Sequence, residues 1–529
     1  MRKGRNMSMR WLAVLLAVVS FGPVHADVVL DLGRGPVTVH VPPSYDPSQP
    51  APLVVSLHGY GGSGQGQENY TQLLPWTDQL GLLYVSPDGT VDSTGSRFWN
   101  ATDACCDIDG SGVDDSGYLR SLIDTIAAEL NVDTERVYLF GHSNGGFMVY
   151  RMACDHADII AAVASLAGAT FVDPADCTPS APVHTLQVHG TLDPLALYQG
   201  GIDIGGYPAV YPGAVETTEI WAAYNQCSLV PDLSQPAIDV SSSISGCETT
   251  VARYGDGCDV GGSSALWTIV GGGHGPNLSP EFVPRVLDFF LSGGRGGVVS
   301  LPRLVIPAAA NAAGAEGSFY ETDLDLSNAG DTDVDYLFSW LPRGANNNDP
   351  LQSETFTLGA GQSVRYSNVL AEAFDLSPDV AGALRIDTTS EELHAIARIA
   401  NTPQEPDAGS FGQAMAAIRP CDCTGRNERR RLLFGTENAE MRFNVGCLNA
   451  SDTATRVSFE LYAADGTELG THSMILMPWG NDQLNKIFDA YRPVSGYVEY
   501  WSDLPGGNVY CYGSLLDNVT SDPTTVPPM

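Results

Sequence analysis

The stretch "RVYLFGHSNGGFMVYRMAC", residues 136–154, places one serine between two glycines directly after an apolar run. The run from Arg136 to Phe140 predicts a strand, and the residues after Asn144 predict a helix. A serine on such a strand-to-helix turn forms a nucleophile elbow, in which the hydroxyl projects at the carboxyl edge of a sheet. Glycines are needed on both sides because a Cβ there would collide with neighbouring backbone. Ser143 is therefore the candidate nucleophile.

The segments around this elbow alternate between strand and helix patterns. Short apolar runs such as "PLVVSLHG" at 52, "VHTLQVHG" at 183 and "ALWTIVGGG" at 265 predict strands, and amphipathic runs between them predict helices. This alternation is typical of a mostly parallel sheet covered by helices on both faces. The sequence therefore predicts an α/β domain over residues 27–292.

A serine hydroxyl becomes a useful nucleophile only when a base takes its proton and an acid orients that base. In this fold class the three residues occur in the order Ser, acid, His, each after a strand. Asp193 follows one predicted strand, and His274 lies in a glycine-rich loop after the last strand. These two are preferred over the other histidines and acids nearby, which are His142, His184, His189, Asp173 and Asp203.

The oxyanion of an acyl-transfer intermediate needs two backbone N–H donors. Asn144 follows the nucleophile and is expected to supply one. The loop "SLHGYGGSG" is expected to supply the other through the amide of Tyr60. The expected substrate contacts are Trp99 in "RFWN" and His58, which lies in this loop.

Composition limits the function further. The chain has 529 residues and a formal net charge of −36, so nucleic acid and anionic membrane surfaces are unsuitable partners. Basic residues, an apolar run and a small-residue end over residues 1–26 predict a signal peptide. We therefore expect a secreted, extracellular protein, with the periplasm as the alternative. Acyl transfer by the predicted residues needs no cofactor, and no metal is predicted.

Eleven cysteines in an exported chain favour disulfides over metal thiolates, and the odd count leaves at least one unpaired. Adjacent Cys105 and Cys106 cannot easily bond to each other without strain, so at least one of them is expected to pair elsewhere, with Cys154 or Cys177. A Cys227–Cys258 bond is expected, as is a bond from Cys421 or Cys423 to Cys447 or Cys511. The acidic loop 107–115 is interpreted as containing the N-cap of a helix, Asp114 or Asp115, rather than a calcium site.

Beyond residue 292 the helical pattern ends. The stretch 293–300 is rich in glycine and predicts a linker. Alternating strands then recur in a diverged tandem repeat, in which Asn328 corresponds to Asn449 and Gly382 to Gly496. The sequence predicts two β-sandwich-like repeats, residues 301–420 and 421–518, and a disordered tail over 519–529.

Nine motifs, in order, resemble an exported esterase family that holds polyhydroxybutyrate depolymerases and feruloyl or acetylxylan esterases. They include "PLVVSLHGYGGSG", "FWNATDACCD", "VYLFGHSNGGFMVYRMAC", "VHGTLDPL" and "GGGHGPN", and they span roughly residues 28–292. The resemblance implies an α/β-hydrolase fold with Ser143, Asp193 and His274 as the catalytic triad. One departure is that Gly275-Pro276 follows His274, where many members have Trp-Pro.

The expected activity is hydrolysis of an ester through an acyl-serine intermediate. A polyester of the polyhydroxybutyrate type is the first expected substrate, because appended β repeats suit an insoluble polymer or a cell surface. Feruloyl or acetyl esters on plant polysaccharide are the alternative. A second alternative is an inactive, hydrolase-like surface binding protein.

Overall fold

The computed structural model of the protein describes residues 26–529 except for some short stretches. The predicted signal peptide, apart from Ala26, and the linker, apart from Gly293, lie outside the described residues. The stretches left out after residue 26 are 205–206, 236, 245, 294–300, 315–317, 389, 391, 402–410, 425–427, 452 and 504–507.

The first domain consists of thirteen strands and six helices in the described part. Strands β1 to β13 are Val28–Asp31, Pro36–His40, Ala51–Leu57, Leu83–Val85, Thr90–Val91, Arg97–Phe98, Val132–His142, Ala162–Leu166, His184–Gly190, Gly200–Ile204, Tyr207–Pro212, Thr249–Tyr254 and Ser263–Ile269. Helices α1 to α6 are Gly64–Thr71, Leu73–Leu80, Asp115–Glu129, Asn144–Asp155, Ala214–Tyr224 and Phe282–Leu291.

Nine of these strands form one sheet in the order β1-β2-β4-β3-β7-β8-β9-β13-β12. The six strands from β4 to β13 in that order are parallel, and the edges are antiparallel. Apolar cores lie on both faces, one including Leu122 and Met148 and the other including Leu73 and Leu287. The predicted α/β fold with a mostly parallel sheet is confirmed, and the carboxyl ends of its strands meet at one edge.

No helix among the described residues combines the length and apolar character that crossing a bilayer requires.

The C-terminal region is built from antiparallel sheets. Strands β14 to β22 are Leu301–Ala313, Phe319–Asn328, Val334–Pro342, Leu351–Gln352, Phe356–Leu358, Ser363–Tyr366, Val380–Thr388, Leu393–Asn401 and Phe411–Ala416, with a short helix α7 at Val369–Phe374. Strands β23 to β30 are Arg430–Glu437, Met441–Asn449, Thr455–Ala463, Glu468–Leu476, Asn481–Leu484, Val494–Ser502, Val509–Asp517 and Pro523–Val526.

These two sets of strands follow the same plan. Strand β15 pairs with β19 and β21 as β24 pairs with β27 and β29, and β16 pairs with β20 as β25 pairs with β28. Asn328 Nδ2 donates to the carbonyl of Thr332 at 2.7 Å, and Asn449 Nδ2 donates to the carbonyl of Thr453 at 2.7 Å. The paired asparagines therefore close equivalent turns, and the first and second repeats are structural copies.

The expected disordered tail is wrong. Residues 523–526 form β30, which pairs with β29 as β22 pairs with β21 in the first repeat. The side chain of Val526 is buried in the core of the second repeat, so the tail has apolar surface to bury after all. Met529 also exchanges two backbone hydrogen bonds with Arg431. The second repeat therefore extends to the end of the chain.

Two of the disulfide expectations are also wrong. Cys105 and Cys106 bond to each other, because Cys154 and Cys177 face one another with their Cα atoms 5.4 Å apart and form their own bond. Cys447 and Cys511 lie directly opposite in the register of β24 and β29 and pair together, which leaves Cys423 free and buried. The expected Cys227–Cys258 bond is confirmed.

Candidate active site

Ser143 lies where β7 ends and α4 begins, with φ 54° and ψ −120°. A positive φ is uncommon for a residue with a Cβ and marks a tight, strained turn. A Cβ on Gly141 would lie 2.1 Å from the carbonyl oxygen of Gly145, and one on Gly145 would lie 2.2 Å from that of Leu57. The steric need for both glycines is thus confirmed, and the turn lifts the serine to the edge of the sheet.

Three side chains from separate loops meet at this edge. His274 Nε2 lies 2.7 Å from Ser143 Oγ, and His274 Nδ1 lies 2.7 Å from Asp193 Oδ2. Asp193 follows β9 and His274 follows β13, strands that are neighbours in the sheet. The geometry fits a serine hydroxyl donating to Nε2 while Nδ1–H donates to the carboxylate. The structure therefore brings together the three residues that the sequence analysis selected.

The Asp193 carboxylate is fully enclosed and well satisfied. Its Oδ1 accepts hydrogen bonds from the amides of Leu195 and Ala196 at 2.8 and 3.0 Å. Its Oδ2 lies 3.3 Å from Nε2 of His189 in addition to the contact with His274. Burial alone raises the pKa of Asp193, but the hydrogen bonds from His189, His274 and Leu195 outweigh it and hold the pKa below its usual range. Asp193 is therefore ionised at neutral pH.

His189 supports this carboxylate from inside the sheet. Its Nδ1 accepts from Gln187 Nε2 at 2.9 Å, so its Nε2–H is free to donate to the carbonyl of Ala196 at 2.7 Å. It is buried on β9, as expected for a packed histidine. The structure adds its contact with Asp193, which no sequence spacing indicated.

His142, which was not preferred as the base, lies against the residue that was. Its Nε2 donates to the backbone carbonyl of His274 at 2.9 Å, and its ring lies 5.3 Å from the His274 ring and 5.2 Å from the Tyr70 ring. Burial, together with the nearby His274, lowers the pKa of His142 to about 4. The Tyr70 hydroxyl donates to the carbonyl of Pro276 at 2.8 Å. Two side chains thus anchor the loop that carries His274.

The loop after β3 lies directly against the nucleophile. A Cβ on Gly59 would lie 3.2 Å from the Cβ of Ser143, so only a glycine lets the loop approach this closely. Within the described residues, no backbone carbonyl accepts from the amide of Tyr60 or of Asn144. The two amides named as oxyanion donors therefore keep their N–H groups available beside Ser143.

Trp99 is fully buried and does not line the cleft over Ser143, so the expected substrate contact through Trp99 is wrong. His58 does line the cleft, but its side chain is buried and its ring nitrogens are already bonded. Trp99 Nε1 donates to the carbonyl of His58 at 3.1 Å, and the Trp99 amide donates to Asn144 Oδ1 at 2.7 Å. His58 Nδ1 lies 2.7 Å from the carbonyl of Gly59, and His58 Nε2 accepts from the amide of Gly89. These bonds tie the loop after β3 to Trp99, and Trp99 to Asn144.

A cleft of about 950 Å³ opens over Ser143, a size that accommodates a small organic ligand. The Cys105–Cys106 disulfide forms part of one wall. The other apolar lining includes Tyr60, Tyr70, Phe147, Ile108, Leu195 and Ile204.

The acidic loop at the rim of this cleft serves local structure. Asp114 Oδ1 accepts from the amide of Gly117 at 2.7 Å and caps α3, as one of the two expected N-caps. Asp107 accepts from the amides of Ser111 and Gly112. These carboxylates are used to shape the loop.

Comparison with known proteins finds esterases. Residues 37–228 match the family described as Esterase PHB depolymerase. Over 243 residues the chain is 31% identical to feruloyl esterase B of Piromyces equi, a match covering 45% of this chain and 42% of that protein. Over 283 residues it is 25% identical to feruloyl esterase C of Emericella nidulans, covering 48% and 93%. An acetyl xylan esterase structure from Aspergillus awamori superposes with a TM-score of 0.35 at 16% identity, covering 50% and 99%.

The chain spans less than half of the Piromyces protein, and the family match falls in the first domain. The resemblance of that domain to the esterases that include polyhydroxybutyrate depolymerases, feruloyl esterases and acetylxylan esterases is therefore confirmed.

Proposed function

We propose that this protein is a secreted serine esterase that cleaves carboxylic esters through an acyl intermediate on Ser143. The observation that carries the proposal is the hydrogen-bonded series Ser143 Oγ, His274 Nε2, His274 Nδ1 and Asp193 Oδ2, with 2.7 Å at each of its two hydrogen bonds. Export is supported by the leader pattern and by the disulfides of the first domain and the second repeat.

In the first half of the reaction, His274 Nε2 takes the hydroxyl proton as Ser143 Oγ attacks the ester carbonyl. The developing oxyanion accepts hydrogen bonds from the free amides of Tyr60 and Asn144. The imidazolium is stabilised by the ionised Asp193 and then gives its proton to the departing alkoxide. The acyl group stays on Ser143.

In the second half, water takes the place of the alcohol. His274 removes a proton from the water, which attacks the acyl carbonyl, and then returns that proton to Ser143 Oγ. In both halves of the reaction, the hydrogen bond from His142 Nε2 to the His274 carbonyl holds the His274 loop in position. The pKa of His142, about 4, leaves its ring uncharged at neutral pH.

For the substrate, we infer esters of ferulic acid or similar aromatic acids on plant polysaccharide. The cleft is wide and partly lined by aromatic rings, which suits a planar aromatic acyl group. Two relatives are named feruloyl esterases, which supports the same class. The polyester expected first from the sequence is the second candidate, supported by the description of the matching family.

The serine assignment is tested with Ser143→Ala. Turnover of a short-chain nitrophenyl ester should fall on the order of 10⁴-fold or more, because the oxyanion donors cannot replace the nucleophile. Ser165→Ala is the matched control, since the Ser165 hydroxyl is buried near the elbow without a hydrogen-bond partner. A Ser143→Ala variant with normal turnover would remove Ser143 from the mechanism, and an inactive wild type would favour the binding-protein alternative.

The substrate class is tested by comparing kcat/KM for methyl ferulate with that for hydroxybutyrate oligomers. A value at least 10-fold higher for ferulate is expected, equivalent to about 1.4 kcal/mol of preferential transition-state binding. The reverse ratio would establish the polyester as the substrate class.

A further inference from the structure

The first repeat packs one sheet face against the second repeat. Val305, Leu341 and Ala383 lie on adjacent strands β14, β16 and β20 and are fully buried. They form one apolar cluster with Leu448 and Ala450 of the second repeat. Small apolar side chains on this face therefore serve a contact inside the protein.

Polar contacts close the same interface. Asn481 Nδ2 donates to the carbonyl of Leu341 at 2.8 Å, and Asn347 Nδ2 donates to the carbonyl of Trp479 at 2.9 Å. The guanidinium of Arg385 lies 5.1 Å from the Trp479 ring centroid. The face of the first repeat is thus covered by the second.

The register of the two repeats identifies the equivalent face in the second one. In the first repeat Leu341 lies opposite Ala383, one residue pair from Gly382. In the second repeat Tyr462 lies opposite Tyr497, one residue pair from Gly496, which corresponds to Gly382. Where the first repeat has small apolar residues, the second has tyrosines. The sheet face that is buried in the first repeat therefore carries aromatic side chains at the equivalent positions of the second.

We call this the open face. The side chains of Arg429 and Arg431 on it are 46% and 58% exposed, and Tyr462, Tyr497 and Trp501 beneath them are half-buried. Tyr500, on the same strand, points to the core of the second repeat and is fully buried. The open face consists of Arg429, Arg431, Glu460, Tyr462, Tyr497, Glu499 and Trp501.

Its aromatic rings are held in fixed positions. The rings of Tyr462 and Tyr497 stack with centroids 5.0 Å apart at 12°. The guanidinium of Arg429 lies 4.0 Å from the centroid of the Trp501 ring, and that of Arg431 lies 5.2 Å from Tyr497. Preorganised rings lose little conformational entropy when a ligand binds.

Most of its charges are paired. Glu499 accepts from Arg429 at 2.9 Å and from Arg431 at 2.7 Å, and the Tyr462 hydroxyl donates to Glu460 at 2.7 Å. Two arginines therefore pair with two glutamates, and Arg456 beside them pairs with Asp503 at 2.8 Å. Glu468 opposite Tyr462 adds one negative charge, so the face presents no block of positive charge to attract an anionic polymer. An anionic polymer is further repelled by the net charge of −36 on the whole chain.

We propose that the open face binds a neutral polysaccharide chain. The CH-rich faces of sugar rings pack on tyrosine and tryptophan, and sugar hydroxyls can bond to the arginine and glutamate groups between them. An apolar polyester offers carbonyl acceptors but no donors, so burying Glu460 and Glu499 under it leaves these carboxylates without a replacement for water. A hydroxyl-rich, uncharged chain can pack on the aromatic rings of the face and also hydrogen-bond to its arginine and glutamate groups.

The test is affinity electrophoresis and pull-down of the complete mature protein with xylan; only the choice of xylan rests on the proposed function. Trp501→Ala and Tyr497→Ala should each weaken binding about 10-fold or more, while hydrolysis of a soluble ester stays unchanged. Phe411→Ala is the matched control, because Phe411 is an exposed aromatic on β22 of the first repeat. Thermal unfolding of each variant checks that the second repeat is intact.

Wild-type binding to xylan, arabinoxylan, cellulose or mannan that survives in both folded variants would overturn the proposal, as would no binding of the wild type to any of them. Variant-sensitive binding to polyhydroxybutyrate film alone would replace the occupant with a polyester. Ester turnover is measured separately, so failure of the proposed esterase activity leaves the binding result readable on its own.

Discussion

The imidazole of His142 donates a hydrogen bond to the backbone carbonyl of His274, so the residue beside the nucleophile positions the proposed base. The contact joins residues 132 positions apart in the chain. This hydrogen bond joins the elbow to the glycine-rich loop that carries His274. It thereby helps to keep the His274 side chain within hydrogen-bond distance of Ser143.

His142→Ala should lower kcat by roughly 10-fold to 100-fold with a smaller change in KM, because a misplacement of about 1 Å at the reacting group has effects of this size. Steady-state kinetics on a small soluble ester measures it. Tyr70→Phe removes one other anchor of the loop, at Pro276, and should cost less. Normal kcat in a folded His142→Ala variant would show that the loop holds His274 without this bond.

Asp193→Asn should reduce kcat on the order of 10⁴-fold, because an amide in place of the carboxylate favours the wrong imidazole tautomer. Asp203→Asn serves as the control, since Asp203 lies on β10 and is exposed. Equal losses in the two variants would contradict the assignment of the acid.

Gly145→Ala should destabilise the first domain by about 1–3 kcal/mol or more and abolish activity, because the new Cβ would lie 2.2 Å from the Leu57 carbonyl. Urea unfolding reports the stability. Gly255→Ala is the comparison, since a Cβ there has nothing within 4 Å and its φ is not positive. A stable, active Gly145→Ala variant would mean that the elbow relaxes freely.

Asp239 gives the protein a pH-dependent stability. Burial, with Glu248 and Glu281 nearby, raises the pKa of Asp239 to about 8, and its Oδ1 has no hydrogen-bond partner. The folded state therefore keeps this proton while the unfolded chain, with a pKa near 3.9, loses it. The contribution of Asp239 to stability is present at low pH and is lost as pH rises from about 4 to about 8.

Asp239→Asn should accordingly melt at a higher temperature than the wild type at pH 9, by roughly 2–4 °C for each 1 kcal/mol of relief. The two proteins should melt nearly alike at pH 4, where the contribution of Asp239 is still present, and this comparison is the internal control. Calorimetry across this range measures the difference. A constant difference at both pH values would show that Asp239 does not titrate in this window.

The sequence predicted the elbow, the order of the three site residues and the tandem repeat because each depends on local pattern. Strand, turn and helix around Ser143 occupy adjacent residues, and Asp193 and His274 each follow a readable strand. The repeat was visible because Asn328 and Asn449 fill the same buried turn.

Contacts between distant loops could not be predicted in this way. The bond from His142 to His274, and the bond from the Trp99 amide to Asn144, depend on which loops the sheet order brings together. The final strand escaped notice because the tail is short and rich in proline and threonine, and only its pairing with β29 gives it a core to join.

The buried asparagines also record what duplication preserved. Strands β17 and β18 of the first repeat occupy the position that a single long strand, β26, occupies in the second. The position of helix α7 is taken in the second repeat by a 3₁₀ turn at Asp489–Tyr491. Yet Asn328 and Asn449 keep the same pair of carbonyl contacts, to a residue four positions on and to a later strand end. An ancestral module could therefore lengthen loops and change its surface freely, provided that this one amide stayed. That amide marks where to look for further copies of the module in unrelated chains.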